Sequence, residues 1–270
     1  MLALKEKLTI LFHDNLLDVY EDKSLYLNQF KEENIYSLEF NSSIDIYIGF
    51  KKPIKNFYVH LKTPSEDKMN LVFYHSTKSG LNELKVFDET YGFSKSGFIQ
   101  WEDIGVNNFL VNGISLYWVK ISTTNISNIS FCAINMLLNS IYDLSSKYPQ
   151  IENEDFLLGK ESFHVAIENA RNELVSRLIR LGIETNFKGR LTVFDLLDVQ
   201  EIREASTFLT LSNIFEMVSD NHDDKYYRLA KSFFKKYDDA FKVYSLSIDK
   251  NQTGITDNQK YQIQCGRLIR

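Results

Sequence analysis

Proline is nearly missing from this chain. Three prolines and eleven glycines in 270 residues leave no room for a Pro/Gly-rich linker or a low-complexity spacer. Cysteine is equally scarce: Cys132 and Cys265 stand far apart and form neither a disulfide framework nor a zinc-ligand spacing. Positive charge is not in excess, because 31 Lys and Arg face 36 Asp and Glu for a net charge of −5, which argues against a broadly basic nucleic-acid surface. No apolar run approaches the ~18 residues of a membrane-spanning helix. The opening MLALKEKLTILF is broken by Lys5, Glu6 and Lys7, and its uncharged core, Leu8 to Phe12, is shorter than the roughly 7–15 residues of a signal-peptide core. A protein made in a reducing cytosol, without a membrane partner, is the expectation. Catalytic signatures are missing too, with no G-x-S-x-G, H-E-x-x-H, Walker loop or G-x-G-x-x-G. The histidines at 13, 60, 75, 164 and 222 are scattered, and a metal or acid–base role for any of them needs partners that spacing does not supply. The expectation is a protein that is not an enzyme.

What the chain has in quantity is aromatic surface: 20 Phe, 15 Tyr and 2 Trp, enough large rings to offset the entropy of ordering and to exclude disorder. These rings fall under two different periods. From about 35 to 138 apolar residues alternate with polar ones, as in IDIYIGF (44–50) and ISLYWVKIS (114–122). Turn pairs such as Ser79-Gly80, Tyr91-Gly92 and Asn112-Gly113 lie between the runs. Period two with β-branched and aromatic enrichment predicts about eight antiparallel strands, a β-sandwich of jelly-roll-like kind. After residue 140 the period becomes 3.6. Phe163, Ile167, Ala170, Leu174, Leu178 and Leu181 line one helix face that Gly182 ends. Asp198 with Glu201 predicts a capping box for a second helix, and Tyr226, Ala230, Phe233, Tyr237, Phe241 and Tyr244 line a third from about 224 to 247. The fold class is therefore α+β: an N-terminal arm or helix (1–34), a sandwich (35–138), a linker (139–160), a module of about three helices (161–248) and a C-terminal tail (249–270).

Three constellations bear on function. Tyr227 and Phe234 lie off the main stripe of the third helix, as an ordinary core residue would at a helix flank or as an oligomer contact would on an assembling surface. Asp249, Asn251, Thr253 and Asp257 occupy positions 1, 3, 5 and 9 of a D-x-N-x-T-G loop with Gly254 at position 6. Alternating oxygens around a sharp turn can wrap calcium, but Lys260 stands where a bidentate Glu belongs. The loop is either a low-affinity calcium site or a metal-free turn that terminates the helix. Trp101, at the end of the GFIQWE strand, and Trp118, on the Ile114/Leu116 face, are the two indoles able to stack on a sugar ring. A sandwich that recognises a cell-surface glycan is the alternative function they carry.

Over residues 35–257 the chain resembles virion proteins of tailed bacteriophages. YIGFKKPIKNFYVHLKTP (47–64), VFDETYGFSKSGFIQWED (86–103) and NGISLYWVKI (112–121) are similar to the N-terminal sandwich of such proteins. FDLLDVQEIREASTFLTLSNIFE (194–216) and DDKYYRLAKSFFKKYDDAFKVYSLSIDKNQTG (223–254) resemble the helical module of head–tail connector (adaptor) and neck proteins. The closing loop departs from that pattern, with Asn251 and Thr253 where acidic residues are usual. The resemblance implies a structural protein of the virion, made in the host bacterial cytoplasm. It implies a ring of copies of itself between portal and tail or neck proteins, with genomic DNA passing through without specific binding. It implies no cofactor, calcium in the tail loop being the one candidate.

Overall fold

The computed structural model describes residues 7–23, 25–26, 36–102, 106–124, 127–157, 162–183, 191–219, 224–242, 245–249, 251 and 261–262. The fold is α+β, with antiparallel sheets before helices, as the change of period predicts. The chain divides into two compact units, the first ending at Met136 and the second starting at Leu137.

In the first unit the strands are β1 (Lys7–Asp14), β2 (Val19–Asp22), β3 (Leu25–Tyr26), β4 (Tyr36–Phe40), β5 (Ile44–Phe50) and β6 (Asn56–Thr63). They continue with β7 (Leu71–Thr77), β8 (Gly80–Leu84), β9 (Phe87–Asp88), β10 (Gly97–Gln100), β11 (Phe109–Val111), β12 (Ile114–Thr123) and β13 (Ser127–Asn135). Among the described residues one sheet runs β2-β1-β5-β12-β7-β8, with β11 on β12 and β3 on β1, and the other runs β4-β13-β6-β10-β9. From β4 to β7 the chain changes sheet at every connection. The inner faces meet in an apolar core: Ile46, Ile48 and Phe50 from β5, Phe57 and Val59 from β6 and Ile99 from β10, with Phe50 and Phe57 ring centroids 6.2 Å apart.

Residues 7–22, read from the sequence as part of an arm or helix, are instead a β-hairpin. β1 pairs with β2 on one side and β5 on the other, from Thr9↔Gly49 to Asp14↔Ile44. Leu8 to His13 are all buried, so this strand has no wet face and shows no alternation from which its period could be read.

The outer face of the first sheet is covered as well. Asp45 and Tyr47, which alternate with the core residues of β5, are themselves buried. The β11–β12 hairpin packs over this face, and Leu11, Tyr47, Val111 and Trp118 form a second small core there, flanked by Tyr20, Phe109 and Leu116. Trp118 is 1% exposed; its indole N–H donates to the Phe109 carbonyl at 2.9 Å, and its ring lies over Gly49. A Cβ at position 49 would sit 2.7 Å from that ring and from Leu116 Cδ1, so this approach needs glycine. Between β9 and β10, the Asp88 carboxylate accepts from the Thr90 amide and hydroxyl and from the Gly92 amide (2.8, 2.5 and 2.8 Å). That network holds Tyr91 and Phe93 in left-handed conformations, φ +54° and +59°.

The second unit carries α1 (Ile141–Lys147), α2 (His164–Arg180), α3 (Gln200–Val218) and α4 (Lys225–Lys242), followed by β14 (Ser245–Leu246) and β15 (Tyr261–Gln262). The stretch 139–160, expected to be a linker, contributes α1 and two 3-10 turns whose Leu144, Ile151 and Phe156 are buried. Ser140 and Asp143 form a capping box on α1, and the same carboxylate takes the Arg203 guanidinium at 2.9 Å. α2 ends at Gly182 (φ +80°), where the Ile183 amide reaches back to the Leu178 carbonyl. Its predicted face is buried up to Leu178, whereas Leu181, past the last turn, is exposed. The Asp198–Glu201 capping box does not form. Asp198 accepts from the Gln200 amide, while the Glu201 carboxylate accepts from the Ser247 amide and hydroxyl instead. α4 is capped by Asp224 through the Tyr226 amide, and the chain is already strand at Ser245–Leu246, short of the expected helix end at 247.

Candidate functional site

α4 is strongly amphipathic, and its two apolar edges have different fates. Ala230, Phe233, Tyr237 and Phe241 recur at intervals of three and four and are buried. They meet rings supplied by α3 and by the stretch before α2. Phe233 stacks on Phe215 at 5.6 Å, Phe215 stands edge-on to Tyr148 at 4.9 Å and to Phe156 at 5.5 Å, and Tyr226 stacks parallel to Phe215. Arg177 of α2 lies over the faces of Tyr237 and Phe241, 4.9 and 4.4 Å from the centroids, and its guanidinium bonds Asp238 at 2.6 Å. Most of the aromatic stripe is thus used inside the unit.

The other edge is open. Phe234 is 48% exposed, and Tyr227 one face along is half-buried beneath the Lys231 ammonium, 4.7 Å from its ring centroid. Between them runs a groove of about 620 Å³ floored by Ser212 of α3 and Ala230 of α4. Two small residues make the floor, and the Ser212 hydroxyl donates to the Ala230 carbonyl at 2.9 Å, so no polar group at the floor is left exposed to an incoming apolar chain. The rim carries both signs: Glu216, Asp238 and Asp239 against Lys231, Lys235 and Lys242. Hydrogen bonds from Lys242 and Arg177 hold the Asp238 carboxyl below the usual carboxylate range, so it stays ionised at neutral pH. The groove can bind an apolar segment with charges at its margins. It offers no nucleophile–base pair.

The remaining sequence candidates are dispersed. Asp249 is 2% exposed and its amide donates to the Asp195 carbonyl, while Asn251 is exposed; Thr253 and Asp257 lie outside the described residues. Among the described residues no group of three or more His, Cys, Asp or Glu converges as a metal site. Trp101, at the end of its strand, is 9% exposed and packs edge-on to Phe57, and Trp118 is enclosed in the cluster with Leu11, Tyr47 and Val111. Neither indole presents a face for a sugar. His60 and His75 belong to different sheets, and burial pushes both below the ordinary imidazole range; His222, Cys265 and the Cys132 side chain lie outside the described residues.

Sequence reasoning missed one surface feature. The β1–β2 turn lifts Leu16 and Leu17 into solvent, 81% and 72% exposed, with Val19 beside them. Asp14 Oδ1 accepts from both leucine amides at 2.8 and 3.1 Å, Asn15 is tied to Ser43 and Asp45, and His13 Nε2 meets Asp18 at 3.1 Å. The signal was Asp-Asn-Leu-Leu-Asp itself, a turn composition enclosing two residues that turns rarely expose. No helix among the described residues is long and apolar enough to cross a membrane. Comparison with family models, with curated proteins and with solved structures finds no match.

Proposed function

We propose that this protein is a structural subunit of a tailed-bacteriophage virion, a head–tail connector or neck adaptor that assembles as a ring between portal and tail. The observation that carries the reading is the open α3–α4 groove with Phe234 at its edge, an apolar feature left uncovered beside a stripe whose Phe233, Tyr237 and Phe241 are buried. An adaptor has no reaction to perform. It must bury surface against its own copies and against the proteins above and below, and a rigid sandwich joined to helices with one open face has the parts for that. The likeness of 47–64, 86–103 and 112–121 to the sandwich of tailed-phage virion proteins, and of 194–216 and 223–254 to the helical module of connector and neck proteins, supports the same reading.

Light scattering coupled to size exclusion, run on the full chain over a wide concentration range, tests it. A single closed species of several copies is expected. A strict monomer at high concentration that also fails to bind purified phage portal or tail-tube rings would overturn the reading.

A further inference from the structure

We infer that the α3–α4 groove is a two-fold contact surface: the same face of a second copy covers it, with the two α4 helices antiparallel and the two Phe234 rings meeting near the axis. The inference goes beyond the ring reading and does not depend on it.

The groove lining holds three acids and three bases, Glu216, Asp238 and Asp239 against Lys231, Lys235 and Lys242, so the face is neutral and does not repel a copy of itself. The order of those charges selects the occupant. Ser212 donates to the Ala230 carbonyl and Phe215 stacks on Tyr226, so α3 runs antiparallel to α4 and Glu216 lies toward the Tyr227 end of the groove. Along the open edge of α4, Tyr227, Lys231, Phe234, Asp238 and Lys242 recur at helical spacing on one face. From one end of the groove to the other the series reads negative (Glu216), positive (Lys231), apolar (Phe234), negative (Asp238), positive (Lys242). Turned end for end, this series is its own complement. Lys231 then faces Asp238 of the second copy, Glu216 faces its Lys242, and Phe234 faces Phe234. A parallel arrangement would instead set each charge against its like, so the same charges also fix the orientation.

Half of the rim charges have no ion pair among the described residues, namely Lys231, Lys235 and Glu216, whereas Asp238 and Lys242 bond each other. The unpaired set contains both signs on one groove, which a two-fold contact can match and a partner of one sign cannot. Groove-on-groove contact is isologous, so by itself it stops at two copies. A ring in solution that also used it would be a pair of rings with an even number of copies.

The test is a charge swap on the full chain, read by native mass spectrometry beside the wild type. K231E/K242E makes the edge acidic and E216K/D239K makes it basic, while Asp238 keeps its bond to Arg177 in both. All four positions are exposed, so circular dichroism and melting temperature should match the wild type; if either variant does not fold, F234E, which sets two like charges at the axis, replaces it in the single-variant arm. Each variant alone should run at half the wild-type mass, with a dissociation constant raised at least about tenfold. Mixed in equal amounts, the two charge variants should recover the wild-type mass as a heteropair. A variant that keeps the wild-type mass by itself, or a mixture that recovers nothing, overturns the two-fold contact and leaves the ring reading standing. A wild-type dimer that the variants split, with nothing larger at any concentration, supports the contact and counts against the ring. A monomeric wild type overturns both.

Discussion

The sheet unit and the helical unit each have more aromatic surface than one core needs, and they dispose of it differently. In the sandwich the outer face of the first sheet folds a piece of its own chain over itself. Val111 and Phe109 of β11 pack on Tyr47 and Trp118, and Gly49 leaves the space for the indole on the neighbouring strand. In the helical unit α4 turns one edge inward against Phe215 and Tyr148 and leaves Phe234 beside an open groove. A sheet face can be closed by the next hairpin along the chain, because a hairpin needs only a few residues to return. The Phe234 edge of α4 needs another element brought against it, and among the described residues none lies there. Tyr47 and Trp118 therefore join a second core in one unit, while Phe234 stays at an open groove in the other.

That contrast breaks most visibly by removing the ring that anchors each core. Trp118→Ala and Phe215→Ala should each cost about 3–5 kcal/mol, read from urea unfolding curves, since both rings are fully buried. If the outer-face cluster were only a surface patch, Trp118→Ala would cost far less than Phe215→Ala. Next in size is Asp88→Ala, which strips three accepted hydrogen bonds from a turn holding two left-handed residues; a loss of about 2–4 kcal/mol is expected from the same measurement. Gly49→Ala should cost about 1–3 kcal/mol, because the new methyl meets the Trp118 ring and Leu116 within a packed layer.

Smaller again is an acid effect confined to the sandwich. His60 and His75 have lowered pKa values in the folded state, so below the ordinary value of 6.5 the unfolded chain binds protons that the folded one refuses. Stability is complete above that pH and declines as pH falls from 6.5 toward the folded values. Melting temperatures at pH 7.5, 6.5 and 5.5 should show the decline, and H60Q/H75Q should flatten it. Smallest for the monomer is Phe234→Ala, expected within about 0.5 kcal/mol of wild type because the ring is half in solvent. Its effect belongs to the assembly: the multimer seen by light scattering should weaken while the monomer's melting temperature holds.

Much of this was legible in the residues themselves. The alternation in 44–50 and 114–122 placed β5 and β12, the spacing from Phe163 to Leu178 placed α2, and Tyr227 and Phe234 stood out as lying off the main stripe. The failures share a cause. β1 carries a run without alternation, since both its faces are covered by chain far away in sequence. Glu201 left its expected cap for Ser247, a partner 46 positions away. The linker turned out to hold Tyr148 and Phe156, whose rings are covered only because α3 and α4 come to meet them. Trp101 at the end of a strand could equally have been rim or interior until Phe57 was placed against it.

By itself, then, the sequence determined the period of each element, the point where strands give way to helices, and the two residues that fall outside the α4 stripe. Those properties are local, set by backbone geometry and by which side chains recur on one face. Tertiary structure alone decided which faces are covered twice and which are left open, a two-leucine turn and a groove of about 620 Å³ among the latter. Burial is a relation between segments distant along the chain, and no window of sequence contains both partners.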